Sequence, residues 1–168
     1  MKYFMNEKYI NSCMSDKQGK PAAPACDWNS PVGLKADNNK DRIHRHTGNF
    51  KWKGVKVEKY KHPDCGWASV SRNVIIGSRG ESARFHLRYF EIAPGGYSSL
   101  EKHRHEHVVV CIRGKGTVLI GPKSHSIGYL DTVYIAPGTI HQLRNPYSEP
   151  FGFFCIVNAK RDRPKTIR

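Results

Sequence analysis

The chain has 168 residues, enough for one domain with an appendage and for a full hydrophobic core. Lys and Arg number 28 against 14 Asp and Glu, a formal net charge of +14. The excess is dispersed rather than gathered into a basic helix or zinc-finger spacing, so nucleic acid is not the expected main partner.

The five cysteines, Cys13, Cys26, Cys65, Cys111 and Cys155, include no CxxC pair. An odd set without a pairing pattern reads as reduced thiols in a cytoplasmic protein rather than a disulfide framework. Cys111 and Cys155 sit inside apolar runs and read as small buried hydrophobes. The start MKYFMNEKYI is too short and too charged for a signal peptide, and no run approaches a membrane span.

Residues 1–50 read as an irregular N-terminal arm. The stretches Lys20-Pro21-Ala22-Ala23-Pro24-Ala25 and Asp37-Asn38-Asn39-Lys40-Asp41 have turn and linker composition. His44 and His46 lie there among polar neighbours with no strand signal, which reads as a solvated loop rather than a ligand pair.

From residue 51 to 160 the texture changes to short strands. Val55–Tyr60, Ala68–Ile76, Ala83–Ile92, Tyr97–His105, Val108–Arg113, Thr117–Ile120, Ser124–Ile127, Thr132–Ile135, Ile140–Arg144 and Phe151–Val157 are rich in Val, Ile, Phe and Tyr. Gly- and Pro-containing turns separate them, among them Pro94-Gly95-Gly96, Gly114-Lys115-Gly116, Gly121-Pro122 and Pro137-Gly138. Many short strands at this spacing predict an all-β antiparallel sandwich or barrel. Residues 161–168 read as a basic C-terminal tail.

The stretch with most chemistry is Lys102-His103-Arg104-His105-Glu106-His107. In an extended chain alternate side chains share a face, so His103, His105 and His107 point one way and Arg104 and Glu106 the other. Three imidazoles on one face suit a divalent metal such as Zn, Fe, Ni, Mn or Cu. Spacing alone does not make a site; a distant ligand has to converge on it. His141, which opens a strand after the Pro137-Gly138 turn, is that partner.

At this point the sequence resembles the cupin superfamily of small jelly-roll barrels. The family's first signature, roughly G(x)5HxH(x)3–4E(x)6G, is matched by Gly96, His103, His105 and Gly114 with one extra residue after Gly96. Its second, roughly G(x)5PxGxxHxxxN, is matched by Gly138, His141 and Asn145. Leu130 stands at that signature's first Gly, and Pro137 lies one place late behind Ala136. The resemblance covers about residues 85–157 and implies a double-stranded β-helix barrel.

The signature's glutamate is missing. Counting back from Gly114 places His107 at its position. Either His107 completes an all-histidine set with His103, His105 and His141, or a bulge turns Glu106 inward instead; strand alternation favours His107.

The resemblance implies a metal-dependent oxygenase, isomerase or lyase, or else a non-catalytic binding module, because the fold hosts many chemistries. It also implies a homodimer. An all-histidine metal site with no carboxylate to offset its charge predicts a compact anionic or enolisable small molecule as ligand. Around it, Arg88 and Phe90 share one face of a strand, and Tyr89 and Glu91 the other. Arg88 as a carboxylate anchor and Tyr89 or Glu91 as polar partners are the substrate-binding candidates. Tyr134 and Phe153 are expected to line the barrel, and Gln142 to face outward.

Overall fold

The computed structural model describes residues 41–61 and 65–167, so most of the predicted arm lies outside the described residues. The strands are β1 (Val57–Lys59), β2 (Ala68–Ile76), β3 (Phe85–Tyr97), β4 (Glu101–Lys102), β5 (His107–Arg113), β6 (Gly116–Ile120), β7 (Lys123–Ile127), β8 (Thr132–Ile135), β9 (His141–Arg144), β10 (Phe151–Asn158) and β11 (Lys165–Thr166). All pair antiparallel in one 11-stranded sheet, in the order β11-β4-β9-β3-β10-β5-β8. The β1–β2 pair joins it at β3, and the β6–β7 hairpin joins it at β9. The sheet curls on itself as an all-β jelly roll. No helix among the described residues is long and apolar enough to cross a membrane.

The period-2 pattern sets the core. Val109 and Cys111 on β5, and Phe151, Phe153, Cys155 and Val157 on β10, are alternate residues that all turn inward. Phe90 stacks on Phe153 with ring centroids 5.6 Å apart, and each fully buried aromatic or aliphatic side chain contributes about 1.5–3 kcal/mol of transfer free energy. β10 lies between β3 and β5 and pairs with β3 from Phe151↔Ile92 to Asn158↔Phe85.

Glycine is required at two closures. Gly114 ends β5 at a φ of 60°, where the Pro150 carbonyl leaves no room for a side chain. Gly116 lies against the Phe151 ring, which a Cβ would strike. Leu130, in the place of the signature's first glycine, keeps the glycine-like backbone, with a φ of 68°.

The chain before β1 is not free of the barrel. Phe50 stacks on Tyr89 at 5.6 Å, and Trp52 packs on Tyr89 and Phe154, covering the outer face of β3 and β10. This cover is why Tyr89 is buried although it points away from the barrel interior. His46 belongs to the same aromatic group, packed on Phe50 and Trp52. At the other end, the basic tail carries β11, which pairs with β4, and Ile167 N–H donates to the Leu100 carbonyl.

Candidate metal centre

β4 ends at Lys102 and β5 begins at His107, so residues 103–106 form a bend between two strands rather than one continuous strand. Burial still alternates through it. His103, His105 and His107 are buried, and Arg104 and Glu106 are exposed. His141 arrives at the start of β9, where its backbone lies opposite Glu101 of β4. The Gly138 N–H donates to the His103 carbonyl at 2.6 Å, so the turn that delivers His141 is fastened to the segment that carries His103.

His103, His107 and His141 bring one nitrogen each within 4.8 Å of the others, a set that can hold a metal ion. Their other nitrogens are occupied. His103 Nδ1 donates to the His105 carbonyl at 2.7 Å, and His141 Nδ1 to the Thr139 carbonyl at 2.9 Å. His107 Nδ1 lies 3.5 Å from Cys155 Sγ. The three Nε2 atoms are buried with no hydrogen-bond partner. Buried polar atoms are seldom left orphaned, and second bonds of this kind are what orient metal-ligating imidazoles. The residues fit a divalent metal.

His105 stands outside this trio. Its ring stacks on His103 at 3.6 Å, and its Nδ1 donates to Asp162 Oδ1 at 2.9 Å. Asp162 also accepts from the amides of Arg104 and His105. The nitrogens that converge are those of His103, His107 and His141; His105, the fourth histidine of the expected set, is buried beside them with Nδ1 on Asp162. Glu106 points to solvent.

Burial makes these imidazoles poor proton acceptors. His103 is brought down from 6.5 to about 4 by burial, with His105 and His141 adding to the effect. Burial lowers His107 well below its ordinary value, with Arg88 next in importance. Neutral imidazole is the metal-binding form. Slight burial would raise the Asp162 carboxyl, but the bonds from His105 and from the Arg104 amide hold it at about 2.

The shift of His103 gives a signed prediction. The folded chain resists protonation that the unfolded chain accepts, so His103 should cost metal-free protein stability as pH falls from about 6.5 to about 4 and add no further slope below, where Asp162 takes over. Urea unfolding of chelator-treated protein across that window checks it, and His103→Gln should flatten the slope.

One cavity adjoins the trio. His105, His107, His141, Arg88, Tyr60, Lys61 and Glu101 line it together with Phe90, Phe153 and Leu143. Arg88 is buried; its Nη2 donates to Cys155 Sγ at 3.3 Å, its guanidinium lies over the Phe90 ring, and its Nε has no partner. Of the substrate-binding candidates, only Arg88 reaches this cavity. Tyr89 donates to Glu91 at 2.6 Å, and Glu91 pairs with Arg113 at 2.7 Å, on the opposite face of β3. Phe153 lines the barrel as expected, but Tyr134 is 62% exposed on the outer face of β8, alternating with the buried Ile135. Gln142 is buried rather than outward, because its amide donates to the Ser98 carbonyl at 2.7 Å.

Lys61 and Glu101 escaped the sequence reading. For Glu101 a signal existed, since the alternation of His107, His105 and His103 extends back one step to Glu101. Lys61 lies forty positions from Glu101 and leaves no local mark.

A Cupin_2 profile, described as a cupin domain, matches residues 88–157. A protein of Rhodospirillum rubrum, 1-methylthio-D-xylulose 5-phosphate methylsulfurylase, is 38% identical over 132 residues, 77% of this chain and 83% of that protein. A crystal structure of a cupin-2 domain protein from the same organism is 36% identical, with a TM-score of 0.66 over 75% of this chain and 84% of that one. The chain belongs to the cupin-2 family. A cupin-2 conserved-barrel protein of Rhodopseudomonas palustris is also similar, 37% identical with a TM-score of 0.69, covering 76% of this cupin and 87% of the other chain.

Proposed function

We propose that this cupin is a metal-dependent enzyme acting on a small, anionic, enolisable molecule. The observation that carries the reading is the convergence of three buried, unpartnered Nε2 atoms, from His103, His107 and His141, beside a cavity that also holds Arg88. Three protein nitrogens leave a coordination position for water or substrate, the arrangement of catalytic rather than structural sites. A metal bound there would act as a Lewis acid toward a substrate oxygen. The ligand set contributes no negative charge, so an anion is favoured, more strongly in a low-dielectric cavity than in water. Arg88, with a guanidinium N–H unpartnered, supplies a second anchor for a carboxylate or phosphate.

The methylsulfurylase of Rhodospirillum rubrum is named for a ketose phosphate, a molecule that is anionic at its phosphate and enolisable beside its ketone. We place the substrate of this cupin in that class. A non-catalytic binding module would be served by a closed, coordinatively saturated site, and the three-nitrogen set argues against it.

Elemental analysis of natively purified protein, followed by thermal-shift screening of the metal-loaded form, tests the reading. Ketose phosphates and small carboxylates should stabilise it, and the shift should shrink as salt rises. Arg88→Met should keep its metal but bind the anionic hits roughly 10- to 100-fold more weakly, the loss expected for a charge-assisted hydrogen bond. Stabilisation by neutral apolar compounds alone, equal with and without metal, would establish the binding module instead.

A further inference from the structure

The cavity wall carries an ion pair that the metal reading leaves unused. Lys61 Nζ donates to the Glu101 carboxylate, and to Ser99 Oγ at 2.8 Å. Ser99 Oγ donates to the same Glu101 oxygen at 3.0 Å, and Tyr60 Oη lies 3.3 Å from Ser99 Oγ. The Lys61 and Glu101 side chains are only 14% and 8% exposed, and both line the cavity with His107 and His141. Burying an ion pair costs much in desolvation, and apolar residues of the same volume would hold the wall at least as well. A charged pair kept beside a candidate metal centre points to chemistry.

The members of the group divide the roles. Glu101 is committed to Lys61 and Ser99. Burial pushes the Tyr60 hydroxyl above its ordinary value, so it stays neutral and serves as a partner of Ser99. Lys61, paired with a carboxylate, rests as the ammonium, a proton donor.

We propose that Lys61 is the proton donor of this site, held charged by Glu101 and aimed by Ser99 so that its ammonium protonates a substrate enolate at carbon. The inference rests on the reading that the cavity takes an enolisable anion. In the step, an N–H bond of Lys61 breaks and a C–H bond forms with the electron pair of the enolate. The carbonyl is restored, and Lys61 is left as the neutral amine, which regains its proton from solvent. Run backwards, the neutral amine, the minor form in equilibrium with the ammonium, removes that proton, so hydrogen on the carbon beside the carbonyl exchanges with solvent. The assignment favours reactions that end by protonating an enolate.

The test uses the full chain, metal-loaded, with dihydroxyacetone phosphate as probe in D2O. Proton NMR follows deuterium entering the hydroxymethyl carbon, calorimetry follows probe binding, and elemental analysis follows metal. The variants are Lys61→Arg, which keeps the charge but does not give up a proton, and the pair Lys61→Met with Glu101→Gln, which leaves no buried charge unpaired. Thermal unfolding confirms that both fold. Wild type should exchange well above a control of metal in buffer, and both variants should fall about a hundredfold while retaining stoichiometric metal. Exchange near the wild-type rate in either variant overturns the proposal. Wild-type protein that binds metal and probe without exchange also overturns it, and leaves the proposed function standing. Wild-type protein that binds no probe overturns both. Exchange that survives metal removal yet is lost in Lys61→Arg supports Lys61 and removes the metal from the proposed function.

Discussion

His141→Ala and His107→Ala should each lose stoichiometric metal, whereas Glu106→Ala should keep it. In chelator competition, each histidine variant should fall in affinity by more than the roughly 100-fold that loss of an outer hydrogen-bond partner costs. The reason is the donor set: three nitrogens converge, and removing one leaves two. Glu106 is exposed and contributes no atom to the cluster. His105→Ala separates two arrangements of the same residues. In the structure its Nδ1 is bonded to Asp162, and the bond it provides to His103 comes from its backbone carbonyl, which alanine retains. The expected cost is therefore less than about tenfold, below that of losing an outer hydrogen-bond partner. A loss as large as that of His107→Ala would mean that the His105 ring turns onto the metal, giving the four-histidine site that alternation suggests.

Asn145→Ala should cost about 3 kcal/mol, at roughly 1 kcal/mol for each of three hydrogen bonds. Asn145 is 1% exposed. Its Nδ2 donates to the carbonyls of Ile92 and Glu149, both at 2.8 Å, and its Oδ1 accepts from the Tyr147 amide. Its backbone exchanges bonds with Gly95 and Gly96. The side chain thus knots the end of β9 to β3 and to the turn before β10. Alanine leaves acceptors buried and unpaired, and the melting temperature should fall by about 10 °C for a domain of this size. Denaturant melts that coincide for Asn145→Ala and wild type would show that water replaces the amide without loss. Asn145→Asp should be destabilising too, because it replaces the Nδ2 donor with an acceptor facing two carbonyls.

The strands were legible because a strand with one buried face writes its burial at every second residue. Ala68–Ile76 and Thr132–Ile135 coincide with β2 and β8, and most others agree to within a residue or two. β11 was not legible: Lys165 and Thr166 carry no apolar alternation, and only their pairing with β4 makes them a strand. Tyr134 was expected inside because it is aromatic, yet it alternates with the buried Ile135 and so takes the outer face of β8. In the site, local spacing singled out His103, His105 and His107, His141 came from its distant strand and the second signature, and Arg88 lay on one of two faces of β3 that alternation left open. Lys61, Ser99 and Asp162 were not legible, since each acts through a partner brought near only by the curl of the sheet. Asp162 is fifty-eight positions from Arg104, whose amide it caps.

The segment from Asp162 to Thr166 bears on how the molecule comes into being on the ribosome. β10 lies between β3 and β5, so the barrel cannot close until residues 151–158 have emerged. Its pairings are mostly distant in sequence, which makes closure slow compared with the addition of a few more residues. Asp162 then caps the amides of Arg104 and His105, Pro164 joins the cavity wall, and β11 zips onto β4. The three converging nitrogens thus come from residues 103–141, whereas the cavity beside them is complete only when Pro164 has joined its wall.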